Sequence, residues 1–292
     1  MRSLFAVGPM AALLAAFAAM PAHAQDPGDD ASTPPGYEGT VFDGDWLSVG
    51  VGAVYLPSYR GSDDYVLSPL PLIQGSLKGV AISPRPGGIA LDFIPDADGK
   101  VAFSLGVAGR LDRNRAVQIK DRVVKQYGKL DTAVEVGPTV GVSFPGVLNQ
   151  YDSLSVNVDA LWDVAGANHG MIVTPSVTYF TPLSRGIAAS LSLSATHMDR
   201  DYADYYYSTP VLARVPVADR LPGFQAGAGW ESAGANALLG FDLDGDLANG
   251  GLAVFVVGGY SRMLEDAKRS PFTSIRGDAD QWTVGAGIGY TF

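Results

Sequence analysis

The chain has 292 residues, no cysteine, and 30 acidic against 20 basic side chains, which gives a net charge of −10. The absence of cysteine excludes disulfide bonds and thiolate metal sites. The acidic charge argues against nucleic acid as a partner. A chain of this length fits one domain if that domain is a β-barrel.

The N-terminus has the pattern of a secretory signal peptide. A basic second residue precedes an apolar run over residues 4–20, and Ala22-His23-Ala24 follows it. Export signals combine a short basic region, an apolar stretch and an A-x-A cleavage site. We therefore predict that residues 1–24 are a cleaved signal peptide. A retained anchor is the alternative, and the run is short for a bilayer span.

After the signal, the chain changes from a polar segment to repeated alternation. Residues 25–45 are rich in Asp, Gly, Pro, Ser and Thr without apolar periodicity, so we predict a flexible periplasmic segment. From Trp46 onward, apolar and polar residues alternate in short segments, which is typical of strands with one apolar face. The last segment is the most regular, with apolar side chains at Trp282, Val284, Ala286, Ile288, Tyr290 and Phe292.

The second face of these segments carries mainly Gly, Ser, Thr and Ala. A soluble β-sandwich also alternates, but it turns its polar face to water, where we would expect more Lys and Glu. Aromatic residues near the predicted strand ends suit the two girdles of a membrane barrel; they are Trp46, Phe144, Trp162, Phe180, Trp282 and Tyr290. We therefore predict an all-β fold, a transmembrane antiparallel up-and-down β-barrel over residues 46–292, in the outer membrane of a Gram-negative bacterium.

Twelve strands are predicted, an even number as in single-chain bacterial barrels. Connections after even-numbered strands are mostly short and those after odd-numbered strands mostly long, which predicts periplasmic turns and external loops respectively. Pro69 and Pro71 fall within the second strand, and proline cannot donate to a ladder, so ten strands are the alternative. The predicted strands are 46–57, 67–74, 78–84, 88–95, 100–111, 132–145, 153–164, 171–182, 187–199, 235–245, 251–264 and 280–292.

The segment that ends at Phe292 closes its alternation on an aromatic side chain, two residues after Tyr290. This ending resembles the insertion signal of outer-membrane proteins. We therefore interpret Tyr290 and Phe292 as a membrane insertion signal. The resemblance implies that the outer-membrane barrel assembly machinery and outer-membrane lipid are partners.

Three stretches resemble the MipA/OmpV family. They are the loop motif Tyr59-Arg60-Gly61-Ser62-Asp63-Asp64-Tyr65, the stretch 259–267, and the tyrosine-rich run 201–207. The resemblance implies an outer-membrane scaffold that brings a murein transglycosylase and a murein synthase together in cell-wall remodelling. It implies a murein hydrolase and a murein synthase as partners, and it supplies no catalytic residue and no cofactor.

Two other functions are consistent with the sequence. A narrow porin-like channel would prefer cations, because the predicted lumen face carries many acids and few bases such as Arg110. A surface adhesin would use exposed tyrosines of the run 201–207, although we favour packing of that loop over the barrel mouth. The predicted lumen acids are Asp92, Glu135, Asp159, Asp163, Asp242 and Asp244.

The sequence gives little support to an enzyme or a metal site. After the signal, the histidines are His169 in a loop and His197 in a strand. Ser192 and Ser194 lie on the opposite face of that strand, so no ready Ser-His pair is predicted. Asp63 and Asp64 offer too few oxygens for calcium. We expect no catalytic residues, no bound metal and no cofactor.

Overall fold

The computed structural model describes residues 40–94 and 101–292. These residues form a closed antiparallel barrel of twelve strands, in which each strand pairs with its sequence neighbours and β1 pairs with β12. The predicted fold class and strand number are therefore confirmed, and ten strands are excluded. The strands are β1 Trp46–Pro57, β2 Tyr65–Leu77, β3 Val80–Arg85, β4 Gly88–Asp92, β5 Ala102–Asp112, β6 Ala133–Pro145, β7 Ser153–Asp163, β8 Met171–Ser184, β9 Ile187–Met198, β10 Gly229–Asp242, β11 Gly251–Met263 and β12 Asp280–Thr291.

The predicted signal peptide, residues 1–24, and residues 25–39 of the predicted periplasmic segment lie outside the described residues. The described remainder of that segment contains one turn of 3-10 helix, Val41–Asp43. The side chain of Thr40 caps this turn, and the ring of Phe42 packs edge-on against Trp46 at 4.9 Å. This turn leads directly into the first strand.

Most predicted strand bounds agree with the structure, but three strands differ by several residues. β4 ends at Asp92, three residues before the predicted end. β2 begins at Tyr65 and ends at Leu77, so it is longer at both ends than predicted. β10 begins at Gly229, six residues before the predicted start. A bulge between Trp230 and Ser232 shifts its register against β9. A bulge places one extra residue in the strand, and this extra residue interrupts the alternation on which the prediction rested.

The lumen face of the barrel is built from small side chains. Gly50 pairs with Gly289 and Gly52 pairs with Gly287 between β1 and β12. Phe255 of β11 lies among these glycines and is buried. A narrow barrel fills its interior with side chains, so one large ring requires its neighbours to be small. The glycines of the last strand therefore serve packing.

The outer face carries apolar residues with aromatic rings near both ends, as predicted. Tyr260 and Trp282 pack at 4.8 Å near the end of the barrel that carries the long connections. Tyr290 and Phe292 pack at 4.7 Å near the opposite end. Trp46 is an exception, because strand alternation puts it on the same face as buried Ser48, which is the lumen face. The two groups of rings suit the two interfaces of a membrane.

The two ends of the barrel differ in their connections. Short turns close one end, which we call the short-turn end. The other, the long-loop end, carries the described helices, none of which is long and apolar enough to cross a membrane. These helices are α1 Arg122–Tyr127, α2 Arg200–Tyr207, α3 Glu265–Arg269 and α4 Pro271–Ser274.

Packing of the glycines around Phe255 gives the first prediction. A Cβ atom at Gly287 would lie 2.6 Å from the carbonyl oxygen of Val51, whereas a Cβ atom at Gly240 would meet nothing within 4 Å. We expect Gly287→Ala to lower the free energy of unfolding by about 1–3 kcal/mol through overpacking. The matched change Gly240→Ala leaves it unchanged or slightly raised. Urea unfolding of the refolded barrels measures both, and equal stability of the two variants would contradict this packing account.

Candidate functional site

The long connections fold over the mouth of the barrel. Segments 113–132, 199–228 and 264–279 pack there together with the β1–β2 loop, residues 58–64; we call these four segments the lid. Their buried side chains form two apolar clusters, one that continues into the barrel and one within the lid. Among the largest are Tyr59, Val124, Tyr202, Tyr206, Tyr207 and Phe272.

Helix α2 carries the tyrosine-rich run into the mouth. Asp199 begins the helix, since its carboxylate accepts the backbone N–H of Tyr202 at 2.9 Å, as an N-cap does. Tyr202, Tyr206 and Tyr207 are each at most 1% exposed. Residues four apart share one helix face, and the rings of Tyr202 and Tyr206 contact at 4.6 Å. The predicted packing of this run over the mouth is confirmed, and these three tyrosines form no exposed adhesive patch.

Arg60, in the β1–β2 loop, lies at the centre of a buried polar network. Its guanidinium donates to both carboxylate oxygens of Asp112, at 3.2 and 2.7 Å. Its Nε atom lies 2.9 Å from the Oε1 atom of Glu231. The side chains of Asp112 and Glu231 are 1% and 4% exposed. One cation therefore neutralises two buried carboxylates.

The two carboxylates come from distant strands of the barrel wall. Asp112 ends β5 and Glu231 lies near the start of β10, five strands further along the ring of twelve. Arg60 comes from a third position, between β1 and β2. The ion pairs therefore tie three parts of the mouth together across its width.

Tyrosine hydroxyls complete this network. Tyr202 donates to Asp112 at 2.9 Å and Tyr207 donates to Glu231 at 2.5 Å. Arg110 donates to the hydroxyl of Tyr202 at 3.2 Å and forms an ion pair with Glu135. Burial raises the pKa of Tyr202 and of Tyr207 well above the ordinary value. Burial opposes the charge of Arg60, but the carboxylates outweigh it, and the pKa of that guanidinium is raised.

A second set of contacts holds the lid together above this network. The hydroxyl of Tyr59 donates to the carbonyl oxygens of Phe272 and Arg276, at 3.1 and 3.2 Å. The guanidinium of Arg115 stacks 4.1 Å from the ring centroid of Phe272. Arg115 is 4% exposed, and this burial lowers its pKa to about 10. Arg115 therefore stays charged near neutral pH, where its cation–π contact persists.

Asp121 joins two lid segments at their surface. It caps α1 by accepting the backbone N–H of Val124 at 2.7 Å, and it accepts from Nε of Arg276 at 3.1 Å. Burial acts to raise the pKa of Asp121, but the hydrogen bonds from Arg276 and Val124 outweigh burial and the pKa is lowered. The carboxylate form therefore connects segment 113–132 to segment 264–279.

The predicted loop motif connects the β1–β2 loop to the barrel wall and to the rest of the lid. The N–H of Gly61 donates to Gln281 at 3.0 Å, and its φ of 91° favours glycine. Ser62 is fully buried and its hydroxyl lies 3.0 Å from that of Ser58. Tyr65 stacks on Tyr55 at 5.2 Å on the outer face. The motif thus joins the loop to the wall and to segment 264–279.

Asp63 is the exposed member of the motif, and Asp64 is partly exposed. The backbone N–H of Asp64 donates to Ser62, and its carbonyl oxygen accepts the N–H of Ser58 at 2.8 Å. Within residues 40–94 and 101–292, no group of three or more His, Cys, Asp or Glu side chains is arranged to hold a metal ion. The backbone of Asp64 therefore closes the β1–β2 loop.

The six predicted lumen acids are not a free anionic lining. Glu135 and Asp159 form ion pairs with Arg110 and Arg85. The other four, Asp92, Asp163, Asp242 and Asp244, accept hydrogen bonds from nearby backbone N–H groups at strand ends and turns. The expected acidic lining is therefore neutralised by bases at Glu135 and Asp159, whereas the four carboxylates bonded to backbone N–H groups keep their negative charge. The cation preference stays a prediction.

The remaining predicted residues lie apart from the lid network. Tyr290 and Phe292 are exposed on the outer face at the short-turn end, and their role in insertion stays a prediction. His197 packs edge-on against Trp230 at 5.3 Å on the outer face. Ser192 and Ser194 occupy the opposite, lumen face of β9. His169 is exposed in the β7–β8 loop.

The residues that sequence reasoning missed are Asp112 and Glu231. Each lies at the end of a strand, where a polar residue is ordinary. The available signal was Arg60, the one basic residue of the loop motif. A buried arginine needs carboxylates, but nothing in one sequence identifies which ones.

The shared guanidinium gives the second prediction. Arg60→Ala leaves Glu231 buried without a cation and leaves Asp112 with only the longer contact to Arg110, at 3.5 Å. Breaking a buried ion pair in this way costs about 3 kcal/mol or more. We expect the lid of this variant to be cleaved by trypsin at lower concentration, and the barrel to unfold at lower urea concentration. The matched change Arg185→Ala removes an arginine whose side chain is 86% exposed in its pair with Asp246, and costs at most about 1 kcal/mol. Equal sensitivity of the two variants would refute the central role of Arg60.

The cap of α1 gives a pH prediction. The lowered pKa of Asp121 means that its stabilisation is complete above the ordinary aspartate pKa of about 3.9 and is lost as pH falls through the lower, folded value. The stability difference between the wild type and Asp121→Asn should therefore be largest near neutral pH. It should shrink as the pH falls below the ordinary aspartate pKa. Urea unfolding at a series of pH values measures this difference. A difference that grows as pH falls would show that the carboxylate does not stabilise the lid.

Solved structures similar to this chain include outer-membrane proteins of low sequence identity. The outer membrane channel from Pseudomonas putida F1 has 13% identity and a TM-score of 0.42, with 92% of this chain and 100% of that chain covered. The toluene transporter TodX from Pseudomonas putida has 9% identity and a TM-score of 0.35, with coverage of 85% and 89%. OmpT of Vibrio cholerae has 8% identity and a TM-score of 0.34, with coverage of 85% and 97%. No curated protein matches this chain.

A family model covers nearly all of the barrel. The model described as "MltA-interacting protein MipA" matches residues 49–292. This range starts within β1 and includes all the other strands, the lid and the loop motif. The match agrees with the resemblance seen in the motif and in the tyrosine-rich run. The chain is therefore an outer-membrane β-barrel protein that belongs to the MipA family.

Proposed function

We propose that this barrel is a scaffold that holds a murein transglycosylase at the outer membrane and brings a murein synthase to it. The description of the family names an interaction with MltA, a lytic murein transglycosylase. Murein lies on the periplasmic side, so the partners would dock at the short-turn end, which faces the periplasm in barrels of this type. The barrel itself would carry no catalysis.

The observation that carries this proposal is the closed mouth at the long-loop end. A channel or an external receptor would use that end, but the lid there is packed around buried ion pairs that span its width. Two of the acids expected to attract cations, Glu135 and Asp159, are paired with arginines. These features favour a membrane anchor that acts through its periplasmic end over an open cation channel.

The short-turn end offers a firm surface for a partner. In the β6–β7 turn, the carboxylate of Asp152 accepts the N–H groups of Val147, Leu148 and Asn149 and the hydroxyl of Tyr179. These bonds fix the turn while the side chain of Leu148 is 79% exposed. A fixed and exposed apolar residue is a good anchor for a protein interface.

Neighbouring turns extend this surface. The N–H of Leu247 donates to the carbonyl oxygen of Arg185 at 2.8 Å, which joins the β8–β9 and β10–β11 turns. Asn149 donates to Thr181 at 3.1 Å, which joins the β6–β7 turn to β8. Three successive turns are thus connected along the rim. Residues 40–45 enter the barrel at the same end, so we infer that the predicted periplasmic segment 25–45 adds to the docking surface.

Site-specific crosslinking in cells tests this proposal. A photo-crosslinking amino acid replaces Leu148 at the short-turn end, and in a matched variant it replaces Val217 in the lid. The two side chains are 79% and 80% exposed, so exposure does not favour either. We expect position 148 to capture a murein hydrolase or a murein synthase and position 217 to capture neither.

Three outcomes would count against the scaffold. If neither position 148 nor positions in the segment 25–45 capture a murein enzyme, the proposed interaction fails. If murein enzymes are captured equally at positions 148 and 217, the crosslinks reflect abundance and not docking. Capture of assembly factors alone would report biogenesis of the barrel and would also contradict the proposal.

A further inference from the structure

The barrel wall is incompletely paired between β2 and β3. β2 pairs with β1 along nearly its whole length, residues 65–76. With β3 it pairs at three positions, the last of which joins Gly75 to Ile82. Among the described residues, no strand pairs with residues 65–74 of β2 on this side. We call the boundary between residues 65–74 and residues 83–87 of the β3–β4 hairpin the seam.

Backbone parity shows which residues of β2 face the seam. Leu47 exchanges both of its backbone hydrogen bonds with Phe292, so odd-numbered residues of β1 bond to β12 and even-numbered residues bond to β2. The bond from the N–H of Ser58 to the carbonyl of Asp64 fits this parity. Because β1 and β2 pair without a shift, even-numbered residues of β2 bond to β1. Odd-numbered residues, including Pro69 and Pro71, therefore direct their backbone toward the seam.

Proline occupies the positions where the ladder would have to continue. After the pair of Gly75 and Ile82, the same register would next bond Ile73 to Pro84, and then Pro71 to Pro86. Proline has no N–H to donate, so the first pair would lack one of its two bonds and the second would lack both. The ladder stops at the first proline pair. The prolines also remove donors that would otherwise be unsatisfied in lipid, where each such group is costly.

The inner side of the seam has an apolar centre between polar side chains. Leu70 and Leu72 share the lumen face with their partners Gly52 and Gly50, and Ser68 and Gln74 flank them on the same face. Further along the wall, Arg85 reaches Asp159 of β7 with an Nε–Oδ2 distance of 2.8 Å. The seam is therefore a stretch of wall without backbone pairing whose inner surface is apolar at its centre.

We propose that the seam admits acyl chains from the bilayer into the barrel lumen. Its outer edge carries the exposed apolar side chains of Leu67 and Ile73, and the centre of its inner edge carries Leu70 and Leu72, so an acyl chain there meets apolar side chains on both faces. Pairing with a strand of another chain is disfavoured, because prolines on both edges block ladder bonds. This inference does not rest on the scaffold function.

Photolabelling of the full barrel in vesicles tests the seam. In one arm, phosphatidylcholine vesicles contain phosphatidylcholine with a diazirine on its acyl chain; in the other, plain vesicles receive a diazirine-bearing long-chain fatty acid. Mass spectrometry then locates the label. We expect label at Leu70 and Leu72 on the lumen face, together with Leu67 on the outer face. Ser192, on the lumen face of β9 far from the seam, should stay at background.

The two arms separate the sources of the acyl chain. Label at Leu70 in the first arm identifies bilayer lipid, and label at Leu70 in the second arm alone identifies free fatty acid. Label confined to Leu67 and other outer residues in both arms would overturn the proposal, whether the seam is shut or occupied by a second copy. The variant Pro71→Val/Pro84→Val/Pro86→Val restores three donors and should lose the label at Leu70 while Leu67 keeps it. Retention of the label at Leu70 in that folded variant would refute the role of the prolines.

Discussion

One guanidinium shared by two carboxylates from distant parts of the wall holds the mouth of this barrel together. Asp112 and Glu231 are each 3% exposed, and burying an unpaired carboxylate is costly. Arg60 offsets the cost of burying them through its two ion pairs. It reaches them only when the β1–β2 loop is packed on the mouth of the barrel. Tyr202 and Tyr207 then bring α2 onto the same carboxylates. The lid and the buried charges therefore depend on each other.

The two ends and the wall of the barrel differ in what they expose. The long-loop end is closed by ion pairs and tyrosines, and the short-turn end presents fixed turns with an exposed leucine at position 148. The wall between β2 and β3 ends its pairing where Pro84 would have to bond. Membership of the MipA family agrees with action at the periplasmic end, and the scaffold role itself is our proposal.

The sequence predicted the barrel well because period-2 alternation is local and almost every strand shows it. Pro69 and Pro71 marked the second strand as irregular, and the structure places them at the edge where pairing with β3 fails. The bulge near Trp230 hid the start of β10. The lid network was out of reach, since Arg60, Asp112 and Glu231 are far apart in the chain. For the same reason, the pairing of Asp159 with Arg85 and of Glu135 with Arg110 could not be predicted.

The most direct test of this account is the conductance of single barrels in planar bilayers. If the Arg60 network closes the mouth, the wild-type barrel passes no stable unitary current across a range of salts, whereas folded Arg60→Ala opens to measurable conductance because its lid is released. Stable wild-type currents equal to those of the variant would contradict the closed mouth and favour the channel.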